Sequence, residues 1–214
     1  GLGHPTLVSE PVAAGTYFFA HLPHLAVEGA AVLVYDFGGG TFDASVIVRT
    51  VDGLRVVGTD GLADAGGIDV DEAILTHLGA VYGPTHPQVW QRLEHPRDDT
   101  DRRARRRLWD SARSAKEMLS RSPATFVRLP LLDIDAALGR EEFERLARPV
   151  LDRTVRCCAA ALAAAGLAPA HLHGVLLVGG SSRIPLAATL LHRAFGVAPT
   201  TVEQPELVVA EGGA

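Results

Sequence analysis

Val34-Tyr35-Asp36-Phe37-Gly38-Gly39-Gly40-Thr41-Phe42-Asp43 is the stretch around which the rest of the chain is arranged. A short apolar run, residues 30–34, leads into it, and an alternating run, residues 41–48, leads out. That pattern predicts two strands joined by a tight glycine turn. Without Cβ atoms, Gly38, Gly39 and Gly40 can take positive φ and let a ligand approach their backbone. Successive N–H groups in such a turn can form a concave site suited to phosphate. Asp36 ends the incoming strand, and Thr41 and Asp43, two apart, are expected on one face of the outgoing strand. Carboxylates, hydroxyl and glycine turn together describe a place for a phosphate and a Mg²⁺ that keeps some of its waters. Three glycines alone read more plainly as a hairpin with surface acids. Asp36, Thr41 and Asp43 beside them tip the reading to phosphate.

The 214 residues suffice for one or two domains with a real core. A hydrophobic fraction of 47% and a charged fraction of 21% place the chain among soluble globular proteins. The formal net charge of −5 argues against a general nucleic-acid or membrane surface. The Arg run at 102, 103 and 105–107 has only Trp109 as an aromatic neighbour, so a solvated helix face is preferred to a nucleic-acid patch. Residues 157–167 are the densest apolar stretch and are too short to span a bilayer. The start of the chain has no signal-like pattern, since His4 and Pro5 precede any apolar run. Cys157 and Cys158 are adjacent and poorly placed to bridge each other in a helix, so both are expected as buried thiols in a reducing, cytoplasmic setting. The His171-x-His173 pair is too little for a zinc site.

Along the chain, Ser9-Glu10-Pro11 predicts a helix start, where Glu10 would favour the dipole. Residues 54–59 read as a third strand and residues 61–67 as a loop. Asp69 then opens a helix through Tyr82, with Val70, Ile74 and Leu78 on one face. Residues 83–99, rich in Pro, His and charge, read as a loop. A long helix over 101–121 buries Leu108, Ala112, Ala115 and Leu119. Arg113, Lys116 and Ser120 share an adjacent face, a row able to hold ribose hydroxyls and phosphates, although a solvated face accounts equally for Arg113. Lys116 stands out because the other nineteen of the twenty cationic residues are Arg. A strand over 124–130 is followed by a linking segment, 131–138. A short helix over 140–148 should break at Pro149, which would start a second helix ending before Gly166. An apolar strand, Val175 to Val178, then runs into Gly179-Gly180-Ser181-Ser182-Arg183-Ile184-Pro185 and a helix to Phe195. A strand, paired glycines and a helix start make a close-approach site at the strand's carboxyl end.

The stretch VYDFGGGTFD resembles the second phosphate motif of the seventy-kilodalton heat-shock chaperones, the DnaK family of the actin-like ATPase superfamily. SEPVAA, AGGIDVD, the Lys116 helix and VGGSSRIP resemble further motifs of that family, in the same order. The resemblance implies an α/β fold: an actin-like ATPase (ribonuclease H-like) lobe with a mixed sheet and flanking helices, plus a smaller inserted α+β subdomain. Residues 1–68 and 140–214 would form the core and residues 69–139 the insertion.

What the resemblance implies about chemistry is specific. ATP or ADP with Mg would be bound, and Asp36 and Asp43 would hold the metal through water. Thr41 would lie near the terminal phosphate, Gly38, Gly39 and Gly40 would cradle phosphate oxygens, and Glu10 would help align the attacking water. Gly67 would lie close to the terminal phosphates, and Lys116 and Ser120 would line the adenosine pocket. Arg113 stands where the family has an acidic residue. Gly179, Gly180, Ser181, Arg183 and Ile184 match the adenosine motif, with the Arg packing on the adenine plane. Near the end, Gln204, Glu206 and Leu207 stand where the family has Asn, Asp and Glu. Glu206 keeps a carboxylate there with a longer arm.

The implied partners are a first ATPase lobe and a substrate-binding domain in a parent chain, a nucleotide-exchange factor, a J-domain co-chaperone and unfolded polypeptide clients in a stress response. Neither nucleic acid nor membrane is implied. The first lobe's phosphate motif and catalytic Lys have no candidate here, so the chain is expected to be one lobe, with little hydrolysis by itself. Two alternatives stay open: a carbohydrate kinase-like member of the superfamily, and a non-catalytic nucleotide-sensing module.

Overall fold

The computed structural model describes residues 8–21 and 27–201. In chain order the elements are α1 (Glu10–His21), β1 (Ala31–Phe37), β2 (Phe42–Thr50), β3 (Gly53–Leu62), α2 (Gly67–Tyr82), α3 (Pro87–Glu94), α4 (Asp99–Leu119), β4 (Ala124–Leu129), β5 (Ile134–Gly139), α5 (Arg140–Ala164), β6 (Leu172–Val178), α6 (Pro185–Phe195) and β7 (Pro199–Thr200). Two compact units result, one of Gly1–Gly66 with Leu151–Ala214 and one of Gly67–Val150.

The first unit holds a five-stranded mixed sheet in the order β3-β2-β1-β6-β7. β1 pairs antiparallel with β2 and parallel with β6, and β6 continues parallel to β7. The two central strands are apolar almost throughout because helices cover both faces. Even-numbered residues of β1 face α1: Val32 and Val34 join Ala14, Phe18, Ile47 and Val178 in one buried cluster. Odd-numbered residues face the opposite way. There the Tyr35 and Phe42 rings pack against each other at a tilt of 55°, with centroids 4.7 Å apart. The Tyr35 hydroxyl is 2.8 Å from Thr154 Oγ1 on α5, and the Thr154 hydroxyl also reaches the Leu151 carbonyl. A buried hydroxyl with a partner avoids the cost of an orphaned polar group. Because strand side chains alternate, locking Tyr35 and Phe37 into one face obliges Asp36 onto the other. The flanking helices and this sheet are the mixed α/β lobe that the sequence predicts.

Cys157 and Cys158 are free and buried. Burial and the nearby Asp60 carboxylate push the Cys157 thiol up to about 12, and burial raises Cys158 well above the ordinary thiol range. Only the thiolate attacks disulfide reagents. Both cysteines should therefore react with Ellman's reagent on the order of 10³-fold more slowly in the native protein than after denaturation. A fast stoichiometric burst from the native state would contradict this.

In the second unit, α2, α3 and α4 bury Ile74, Trp90, Leu108 and Ala112, while the β4–β5 hairpin buries Val127, Leu129, Ala136 and Leu138. Asp98 caps α4 by accepting from the Asp101 N–H at 2.9 Å. Arg140 ties the start of α5 to the end of α4, donating to the Leu119 and Ser122 carbonyls.

Three local expectations need correction. Residues 83–99 are not all loop, because Pro87–Glu94 forms α3. Pro87 sits in its first turn, where no N–H is needed, and Trp90 and Leu93, three apart, bury one side. Residues 131–138 are not merely linking, because β5 occupies Ile134–Gly139. Asp133 takes φ 56 to turn the chain, and Ala136 and Leu138 alternate inward. Pro149 does not break the helix; it lies inside the continuous α5. Its ring side is exposed, so the Arg145 carbonyl it leaves without an N–H is open to water, while Phe143, Ala147, Leu151 and Thr154 anchor the helix on either side. Pro149→Ala should supply the missing N–H and stabilise the protein by about 1 kcal/mol, read as a raised melting temperature. No change, or a loss, would contradict the missing hydrogen bond as a cost at this position.

Candidate functional site

Parallel pairing of β1 with β6 brings their carboxyl ends together, with Asp36 beside Val178. The Gly38–Gly40 turn and the Gly179–Ile184 segment therefore leave the sheet from one edge. Gly179 sits at φ 81, a region that side chains rarely adopt. A Cβ there would lie 2.5 Å from the Phe37 carbonyl oxygen and 2.7 Å from Asp36 Oδ1. The second glycine segment thus lies directly against the end of β1. Gly180–Arg183 then forms a 3₁₀ turn, with Ser181 and Ser182 buried and the Ser182 hydroxyl donating to the Gly179 carbonyl at 2.7 Å. Gly180 is exposed, Arg183 is half-buried, and Ile184 is buried just before α6.

The triple-glycine turn departs from expectation in one respect. Gly38, Gly39 and Gly40 are not among the positive-φ residues. Their lack of side chains serves space instead. A Cβ on Gly39 or Gly40 would meet nothing within 4 Å, so the rim is open. From beneath, Gly66 presses against the turn: a Cβ there would lie 2.5 Å from the Gly39 carbonyl oxygen. The Gly38 N–H donates to the Thr41 carbonyl at 3.1 Å. β2 begins at Phe42, so Thr41 belongs to the turn rather than the strand, and it is exposed.

Asp36 and Asp43 are direct cross-strand partners on the face covered by α1. A cleft of about 400 Å³ opens there, lined by Glu10 at the start of α1, Asp36, Asp43, Thr59, Asp60 and Gly61. Gly61, opposite Asp43, leaves room for that carboxylate, since a Cβ would lie 2.9 Å from Asp43 Oδ1. Like charges directly opposite on a sheet repel. Burial, then Glu10, then Asp43 raise the Asp36 carboxyl to about 6. Such concentrated anionic charge is matched to a cation.

The donor set is of the kind that would suit magnesium. Among the described residues, no three His, Cys, Asp or Glu side chains converge closely enough to hold a metal by themselves. Hard carboxylate oxygens near an open glycine rim suit an ion that keeps several waters and is shared with phosphates. Asp60, which accepts from the Gly61 N–H and lines the cleft, was not legible as a site residue, because a lone strand Asp carries no motif.

Gly67, Arg113, Lys116 and Ser120 lie in the second unit. Gly67 is buried and opens α2. Ser120 is the C-cap of α4 and donates its hydroxyl to the Lys116 carbonyl at 3.3 Å. Lys116 is only 7% exposed, with Nζ 2.9 Å from Asp71 Oδ1 and 2.7 Å from the Gly67 carbonyl. Arg113 is largely exposed, with Nε 3.8 Å from Asp71 Oδ2. Asp71 is the partner that sequence reasoning missed: it follows Val70 in the helix pattern, and nothing local ties it to a residue on α4. Glu206 lies outside the described residues.

No helix among the described residues is long and apolar enough to cross a membrane. Compared with known protein families, the chain matches the model described as Hsp70 protein over residues 1–214.

Proposed function

The chain belongs to the Hsp70 family of chaperone ATPases, and from that membership we propose that it is the second lobe of the nucleotide-binding domain, whose ATP cycle gates capture and release of unfolded polypeptide. The observation that carries this reading is the meeting of Asp36, Asp43 and Glu10 at a cleft beside two glycine segments, at the carboxyl ends of adjacent parallel strands. Open α/β sheets bind ligands at such ends.

Asp36 and Asp43 are assigned to hold magnesium through its waters, where the ion would neutralise phosphate charge. Gly38, Gly39 and Gly40 cradle phosphate oxygens, and Thr41 stands near the terminal phosphate. Glu10 and Asp43 accept hydrogen bonds from the attacking water and so orient it. Gly179, Gly180, Ser181, Arg183 and Ile184 are assigned to adenosine, Gly67 to the neighbourhood of the terminal phosphates, and Arg113, Lys116, Ser120 and Glu206 to further nucleotide contacts. Catalysis by such a site is positioning and charge neutralisation. A first lobe, a substrate-binding domain, an exchange factor and a J-domain protein complete the proposed cycle. Residues 69–139 are read as the inserted subdomain. Free, buried Cys157 and Cys158 support a reducing, cytoplasmic setting.

Calorimetric titration of ADP into the full-length protein, with and without Mg²⁺, tests the reading alongside single-turnover ATP hydrolysis. Binding should depend on Mg²⁺, and Asp43→Asn should lower turnover by roughly 10²-fold. Absence of Mg²⁺-dependent binding would overturn the nucleotide reading. A sensor without turnover is the second reading, favoured by exposed Arg113 at a position where the family carries an acid. Mg²⁺-dependent binding with no measurable hydrolysis in the full-length protein would decide for it.

A further inference from the structure

We propose that Lys116 is a positioning residue: its ammonium neutralises buried Asp71 and holds the Gly67 carbonyl, so that α4 fixes the first turn of α2. The inference deepens, and rests on, the nucleotide reading above, in which Lys116 would otherwise contact the ligand directly. Asp71 is 1% exposed, and neither of its oxygens has an aligned hydrogen-bond donor among the described residues. Burial raises its carboxyl, and Lys116 and then Arg113 oppose that rise. Its stability as an anion therefore depends on the charge 2.9 Å away. Arg113 cannot replace that charge, because it is 57% exposed and its Nε is 3.8 Å from Asp71. One Lys116 N–H donates to the Gly67 carbonyl at 2.7 Å, in addition to the bond that carbonyl accepts within the helix. One ammonium proton is thus directed at a backbone carbonyl and the charge sits against a carboxylate, on a side chain with little contact with solvent. The arrangement also accounts for the lone Lys. A slim ammonium can enter a closed space and meet a carboxylate and a carbonyl together, where a planar guanidinium needs a wider slot.

Removing one partner of a buried ion pair leaves an uncompensated charge, whereas removing both is far better tolerated. A double-substitution cycle in the full-length protein therefore separates positioning from contact. Lys116→Met should lower the melting temperature by roughly 10 °C and weaken ADP binding roughly tenfold. Adding Asp71→Asn should restore both. The single variant should also regain stability as the pH falls, because protonation of Asp71 removes the stranded charge. The other charged groups that bear on this carboxylate are Arg113 and Glu117 of α4, both retained in these variants. Melting without nucleotide reads the strut even if ADP binding by the wild-type protein fails. A double variant as unstable as Lys116→Met would overturn the proposal. So would recovered stability with ADP binding still as weak as in the single variant, which would make Lys116 a direct nucleotide contact.

Discussion

Gly179→Ala is expected to destabilise the protein by about 3 kcal/mol and to abolish Mg-nucleotide binding. Two costs combine. The backbone holds φ 81, which a side chain resists. The added methyl would also meet the Phe37 carbonyl at 2.5 Å, and that backbone cannot yield without shifting the end of β1. Asp36, the residue before Phe37, would move with it. Thermal melting should show a fall of roughly 6–12 °C, and calorimetry should show the loss of binding. Gly180→Ala is the control, since a Cβ there meets nothing within 4 Å and its conformation is not at positive φ. Equal stability losses from the two substitutions would refute the close-approach account.

Asp36→Asn should pull stability and binding in opposite directions. In the folded chain the Asp36 carboxyl is raised from 3.8 to about 6, first by burial and then by Glu10 and Asp43. Between those values the native state binds the proton more tightly than the unfolded chain does, so stability falls as pH rises through that window. Above about pH 6 the whole loss is in place. Moving a carboxyl from 3.8 to about 6 corresponds to roughly 3 kcal/mol, which solvent reaching the half-buried group reduces to about 1–2 kcal/mol. Asn cannot ionise, so the variant should be more stable at pH 7 by that amount and lose the pH dependence between 4 and 6. Nucleotide affinity in the presence of Mg²⁺ should drop, because half of the facing carboxylate pair is gone. A variant less stable at pH 7 than the parent would sink the account of Asp36 as an anion destabilised by burial and by its acidic neighbours.

Legibility followed the range over which each signal acts. α6 was readable to the residue because Pro185 starts it and Gly196, at φ 73, ends it. The β1–β2 hairpin was readable because its strands and glycines are contiguous. α3 was obscured because Pro and His density outweighed two apolar residues in one short turn. β5 was obscured because Leu131 and Leu132 break the alternation before the Asp133 turn. α5 was misread because a proline's missing hydrogen bond costs little where the carbonyl faces water.

Local chemistry along the chain was enough to determine the glycine bend, the acids that flank it and the second glycine segment, since each is encoded within about ten residues. Tertiary pairing decided everything that joins them. Parallel β1–β6 pairing set Gly179 against Phe37, strand register set Asp36 opposite Asp43, and helix packing set Asp71 beside Lys116. Those contacts depend on burial and register between segments far apart in the chain, which no local pattern of residues specifies.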